Sequence, residues 1–115
     1  MGIGESKLSP AIETKLRKAI EAVNVGLGSL LEQLAIADTP EMSVNIAPKM
    51  LDKAKKAVED NQAFIAEIEQ LFTEATAATP DRIKVIMDKV KVCKKTCKDL
   101  SNKLEECMHE DTQSD

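Results

Sequence analysis

Aromatic side chains are almost missing from this chain of 115 residues, which carries two Phe and neither Trp nor Tyr. Stacking platforms for bases or sugars need several aromatic faces, so that kind of recognition is excluded. Histidine is reduced to His109. No Walker-type loop and no nucleophile beside a base are present, so the parts of a catalytic centre are lacking. A non-enzymatic protein without cofactor or metal is the expectation. Positive charge is in deficit: 16 Lys and Arg face 20 Asp and Glu, for a net charge of −4. Non-specific nucleic-acid binding draws its affinity from Lys and Arg neutralising phosphates, so no nucleic-acid partner is expected. Gly and Pro number four each, too few for a collagen-like or low-complexity chain. What is there is 43% apolar and 31% charged, the balance of one folded helical domain.

Ser or Thr followed by Pro divides the chain. The hydroxyl accepts from orphan N–H groups at a helix start, and Pro occupies the first helical position without losing a bond. Ser9-Pro10, Thr39-Pro40 and Thr79-Pro80 therefore predict helices near 10–37, 46–76 and 80–108. The bridge at residues 41–47 has room for one helical turn, with Met42, Val44 and Ile46 folding back over the core. The fold class expected is all-α, an antiparallel up-down-up three-helix bundle with a short fourth helical turn in the first connection. A flexible tail at residues 1–8 precedes a single domain at 9–108, and a disordered acidic tail follows at 109–115.

Apolar spacings of three and four locate the core faces. The first helix presents Ile12, Leu16, Ala19, Val23, Leu27, Leu30 and Leu34. The second presents Leu51, Ala54, Val58, Asn61, Ile65, Ile68, Phe72 and Ala75, widened by Met50, Ala57, Phe64 and Leu71. The third presents Ile83, Ile86, Val90, Cys93, Cys97, Leu100, Leu104 and Cys107. Charge agrees with antiparallel pairing of the last two helices. The acidic end of the second (Glu59, Asp60, Glu67, Glu69, Glu74) would meet the basic start of the third (Arg82, Lys84, Lys89, Lys91, Lys94, Lys95). The lysines at 49, 53, 55 and 56 would meet Glu105 and Glu106.

Between Ala22 and Ala37 only Glu32 is charged. Ile20, Val25, Leu31 and Ile36 lie beside or opposite the seam, so this half of the helix should be covered on more than one side. The uncharged run is shorter than the ~20 residues of a bilayer span, so a spanning segment is not expected. Either the chain's own bridge covers the run or a protein partner does, a helix or helical subunit anchored on Val25, Leu31 and Ile36. Gly26 and Gly28 each cost about 0.8–1 kcal/mol relative to Ala inside a helix. Close helix approach or a kink would offset that cost.

Cys93, Cys97 and Cys107 followed by His109 resemble a zinc ligand series in type but not in spacing. Cys97 and Cys107 lie ~15 Å apart along a continuous helix, and a shared ion needs Zn–S distances of ~2.3 Å. Core cysteines are expected, with no metal, in a reducing cytoplasmic compartment. Asn61 at a core position is read as a register-setting amide or a partner contact.

Lys84, Lys91, Lys95 and Lys98 form a stripe on one face of the third helix, with Lys94 alongside. The expected default is a solvated face matched to the acidic second helix; the sharper reading is an anionic surface site. Val85 and Val92 lie outside the main seam and would extend a binding groove. Met1-Gly2-Ile3-Gly4-Glu5-Ser6 fits the N-myristoylation pattern at Gly2. One acyl chain anchors only marginally, and the Lys stripe would supply the second signal.

Leu51-Asp52-Lys53, Lys56-Ala57, Glu67, Lys89-Val90 and Cys97 together resemble BAG co-chaperone domains, and the architecture is similar to GAT-type adaptor domains and to small helical subunits of trafficking complexes. A BAG-like domain implies binding the Hsp70 ATPase lobe through charged residues of the second and third helices; no individual residue is carried over. The leading expectation is a non-enzymatic adaptor or complex subunit that docks a partner helix. The alternatives are a myristoylated peripheral membrane protein and self-association through identical apolar patches.

Overall fold

The protein is all-α. The computed structural model describes residues 8–113, with side chains through residue 108, and among these there is no strand. Helix α1 spans Pro10–Ala37, α2 is a single turn at Pro40–Ser43, α3 spans Pro48–Thr73 and α4 spans Pro80–Gln113. A 3-10 turn at Ala75–Ala77 links the last two. The helices pack into a bundle measuring 69 × 19 × 17 Å. Gly2, the expected acylation site, lies outside the described residues.

All three hydroxyl caps form. Ser9 Oγ accepts from the Ile12 amide at 3.3 Å, Thr39 Oγ1 from Met42 at 3.3 Å and Thr79 Oγ1 from Arg82 at 3.2 Å. Thr39 nevertheless starts only α2. The long helix α3 opens at Ala47-Pro48 with no side-chain cap, because Pro48 supplies the fixed φ of a first helical position. It ends at Thr73, short of the expected 76, and Ala75–Ala77 tightens into the 3-10 turn. Helix α4 continues past the expected end at 108 to Gln113.

Two hydrophobic clusters fill the bundle, and α1 contributes to both. In one, Leu16, Ala19 and Val23 of early α1 meet Phe64, Ile68 and Leu71 of late α3 and Ile83, Ile86 and Val90 of early α4. In the other, Leu27, Leu30, Leu34 and Ala37 meet Leu51, Ala54, Ala57 and Val58 of early α3 and Cys97, Leu100, Leu104 and Met108 of late α4. Ile46 from the bridge closes this second cluster. Val44 does not fold back as expected: it is 79% exposed, because Ile46 and Met42 already occupy that end.

The seams are the expected ones with small rotations. In α3, Phe64 and Leu71 are buried, while Ile65 and Phe72 are only partly covered. The Arg17 guanidinium sits 5.2 Å from the Phe72 ring centre and covers it from α1. In α4, Cys97 is buried but Cys93 and Cys107 are half-buried; Ser101 and Met108 occupy core positions instead. Asn61 is buried at the level where one cluster gives way to the other.

Glu67 of α3 takes both Arg82 and Lys89 of α4, and Lys55 pairs with Asp38 across 3.4 Å. Glu67 is central enough to hold two cations, and Lys89 also lies 4.8 Å from the Phe64 ring centre.

Candidate functional site: the groove between α1 and α4

Among the described residues, none wraps the apolar second half of α1. Val25 is 69% exposed, Leu31 41% and Ile36 45%. The bridge cannot reach them, since its one buried residue, Ile46, lies on the core side. Val85 and Val92 on α4 are also exposed. The five do not make one patch. At about 100° per residue, Val25 and Ile36 share the outer crest of α1, while Leu31 is turned a third of a revolution from them. Val85 and Val92 lie roughly opposite Ser101, on the side of α4 turned away from α1.

Val25 does meet lysines. Beside it a groove of about 520 Å³ opens between α1 and α4, walled by Val25 and by Lys94, Lys98 and Asn102, and floored by Ala22, Gly26, Ser29 and Ser101. The floor residues are small because the two helices approach closely there. A Cβ at Gly26 would stand 3.4 Å from Cys97 Cβ, and Ser29 Oγ lies 3.4 Å from Ser101 Oγ. Gly26 thus serves close approach, and α1 remains continuous through it. Gly28 has nothing within 4 Å. A second opening of about 410 Å³ lies further along the same pair of helices, lined by Ile12, Lys15, Ile83, Lys84 and Met87.

The lysine stripe turns away from the acidic helix it was expected to match. Lys84, Lys91, Lys94, Lys95 and Lys98 are exposed, and among the described residues none of them holds an ion pair; the α4 cations engaged by α3 are Arg82 and Lys89. The reason is rotational. Lys89 is on the α3 side of α4, whereas Lys94 and Lys98 flank the α1 side.

The thiols are not set up for nucleophilic work. Burial pushes the Cys97 pKa up, with the neighbouring Cys93 adding to the shift. Burial likewise raises Cys93, opposed by Lys89 and reinforced by Asp60. Both are therefore protonated at neutral pH, where the reactive thiolate is scarce. Helix α4 runs unbroken through Ser101 and Asn102, which keeps Cys97 and Cys107 about 15 Å apart. No group of three or more metal-ligating side chains converges among the described residues.

Helix α1 as a whole is long and apolar enough to cross a membrane by length and composition. The short uncharged run therefore does not by itself exclude a span. In the bundle its Leu16, Ala19, Val23, Leu27, Leu30, Leu34 and Ala37 are buried.

Sequence reasoning missed the groove floor. The signal was available in Ala22, Gly26 and Ser29, small residues at spacings of four and three on one face of α1, but the spacing does not say which neighbour they approach. Compared with known proteins, the chain matches no family model, no curated protein and no solved structure. The likeness of Leu51–Ala57, Glu67, Lys89-Val90 and Cys97 to BAG domains gains no support from them.

Proposed function

We propose that this protein is a non-enzymatic helical interaction module, an adaptor or complex subunit of the cytoplasm, that docks a partner helix on its exposed apolar surface. The observation that carries this reading is the exposure of Val25, Leu31 and Ile36 on a helix whose opposite side is fully committed to the core. Val25 lines the groove between α1 and α4, and uncovered apolar residues of this kind are the anchors that helix-in-groove recognition uses. The scaffold we propose is an up-down-up three-helix bundle. Its support is that early α1 meets late α3 and early α4, while late α1 meets early α3 and late α4.

The test is a double substitution, Val25→Glu with Leu31→Glu. Both sites are exposed, so folding stability should change by no more than about 0.5 kcal/mol per site, while affinity for a helical partner is lost. A folded variant that retains every partner of the wild type removes the assignment. The unpaired lysines of α4 favour a second reading, a peripheral membrane protein held by a myristoylated Gly2 and this Lys face. Vesicle binding that requires both the acyl group and anionic lipid would establish it.

A further inference from the structure

We infer that the partner of the α1–α4 groove is an acidic amphipathic helix, one that lays an apolar ridge along Ala22, Gly26 and Ser29 and sets carboxylates against Lys94 and Lys98. This rests on the docking reading above and adds the chemistry of the occupant.

Charge complementarity is the main argument. Positions 84, 87, 91, 94, 98 and 102 recur at spacings of three and four, and so share one face of α4. They carry Lys, Met, Lys, Lys, Lys and Asn, with no carboxylate among them. On the facing side of α1, positions 15, 18, 22, 26, 29 and 33 carry Lys, Lys, Ala, Gly, Ser and Gln, again without a carboxylate. The chain as a whole has 20 acids against 16 bases, yet the charged residues that line the larger opening are Lys94 and Lys98, and the face acquires a carboxylate only beyond Asn102, at Glu105. Its lysines are exposed and, among the described residues, hold no ion pair, so their charge faces the groove's occupant. Acids opposite them would steer encounter and fix register, while the apolar strip supplies burial.

Shape selects a helix over a flat surface. The two openings of about 520 and 410 Å³ are recesses on the same seam. From Lys84 to Asn102 the seam runs about 27 Å, the length of a helix of about 18 residues. Small side chains at Ala22, Gly26 and Ser29 leave a notch along the axis in which the ridge of a further helix can seat, as ridges enter grooves between packed helices. A bilayer would engage exposed lysines but would leave this recess empty.

The experiment is selection from a yeast-displayed library of 18-residue amphipathic helices. Their apolar face is fixed, and their flanking positions are varied among Glu, Lys, Gln and Ala. The baits are the full chain and its Lys94→Glu/Lys98→Glu variant, with melting curves confirming that the variant is folded. The expected result is enrichment of Glu flanks on the wild type, with binding of the selected helices reduced roughly tenfold or more by the variant. Ser29→Phe, which fills the recess without changing charge, should weaken the same helices. Selected helices without acidic bias, or insensitive to both variants, overturn the acidic occupant while leaving docking intact. Selection of no helix at all overturns docking with it. Two controls complete the test: sedimentation of the chain with phosphatidylserine vesicles, and its mass by light scattering. Binding to vesicles but to no acidic helix, or a dimer that Lys94→Glu/Lys98→Glu dissociates, overturns the proposal in favour of a membrane or of a second copy.

Discussion

Gly26 and Gly28 stand two residues apart in one helix but in opposite surroundings. Each carries the helix penalty of glycine, about 0.8–1 kcal/mol relative to Ala. At Gly28 nothing lies within 4 Å of an added methyl, so Gly28→Ala should raise stability by about that amount in urea unfolding. At Gly26 the methyl would stand 3.4 Å from Cys97 Cβ, so Gly26→Ala should gain distinctly less. Asn61 raises a different question of satisfaction. Its Nδ2 donates to the Ala57 carbonyl at 2.6 Å, but Oδ1 is buried with no acceptor role filled. A buried unpaired polar group costs about 1–3 kcal/mol, and Asn61→Leu should recover part of it as a higher denaturation midpoint. An unchanged or lower midpoint would show that Oδ1 is satisfied in solution. The amide also lies at the join between the two apolar clusters. That position suits the register role expected of it, since an axial slip would carry it into apolar surroundings.

The helices differ in how they begin. Helices α1, α2 and α4 each have a hydroxyl that accepts from the third residue on, whereas Ala47 leaves the start of α3 without a side-chain acceptor. Its extended backbone, φ −61° and ψ 135°, is already that of an N-cap. Ala47→Asp should therefore add about 1 kcal/mol, the usual difference between a capping carboxylate and alanine. The check is a thermal melt at neutral pH, where the aspartate is charged; the gain should fade once the group is protonated near pH 3. At this scale the three Ser/Thr-Pro pairs were legible because capping chemistry is local. The start of α3 was misplaced because Ala47-Pro48 carries only the proline half of the signal. The burial of Phe64 in preference to Phe72 was not legible either. Adjacent faces of one helix both read as apolar, and only the rotation of α3 against α1 and α4 decides that Phe64 enters the cluster while Phe72 stays partly exposed under Arg17.

Over the whole molecule, the buried thiol of Cys97 links stability to alkaline pH. Burial raises its pKa above the ordinary thiol value of 9.0, so on raising the pH the unfolded chain loses this proton before the folded one does. Stability from this group is fully present below the unfolded value and is lost as the pH climbs through the folded value. Denaturant midpoints should therefore fall above about pH 9, with a shallower fall in Cys97→Ala; parallel curves would show that the thiol contributes nothing. The bundle itself is long and narrow, 69 Å by 19 and 17 Å. A large share of every helix consequently stays in contact with solvent, and this keeps Val25, Ile36, Val85 and Val92 uncovered.

By itself the sequence determined the all-helical class, the three long elements and nearly all of their core residues. Periodicity and capping act within a few residues of chain, and so they are written in it directly. The tertiary structure decided what the lysines face and what covers the apolar run of α1. The stripe from Lys84 to Lys98 could have met the acids of α3. Rotation of α4 instead gives α3 Arg82 and Lys89 and leaves the stripe beside α1. The run from Ala22 to Ala37 could have been wrapped by the bridge, but Ile46 and Met42 turn inward at the far end and leave Val25 open. Both outcomes depend on the relative rotation of whole helices, a quantity that no single helix's pattern contains.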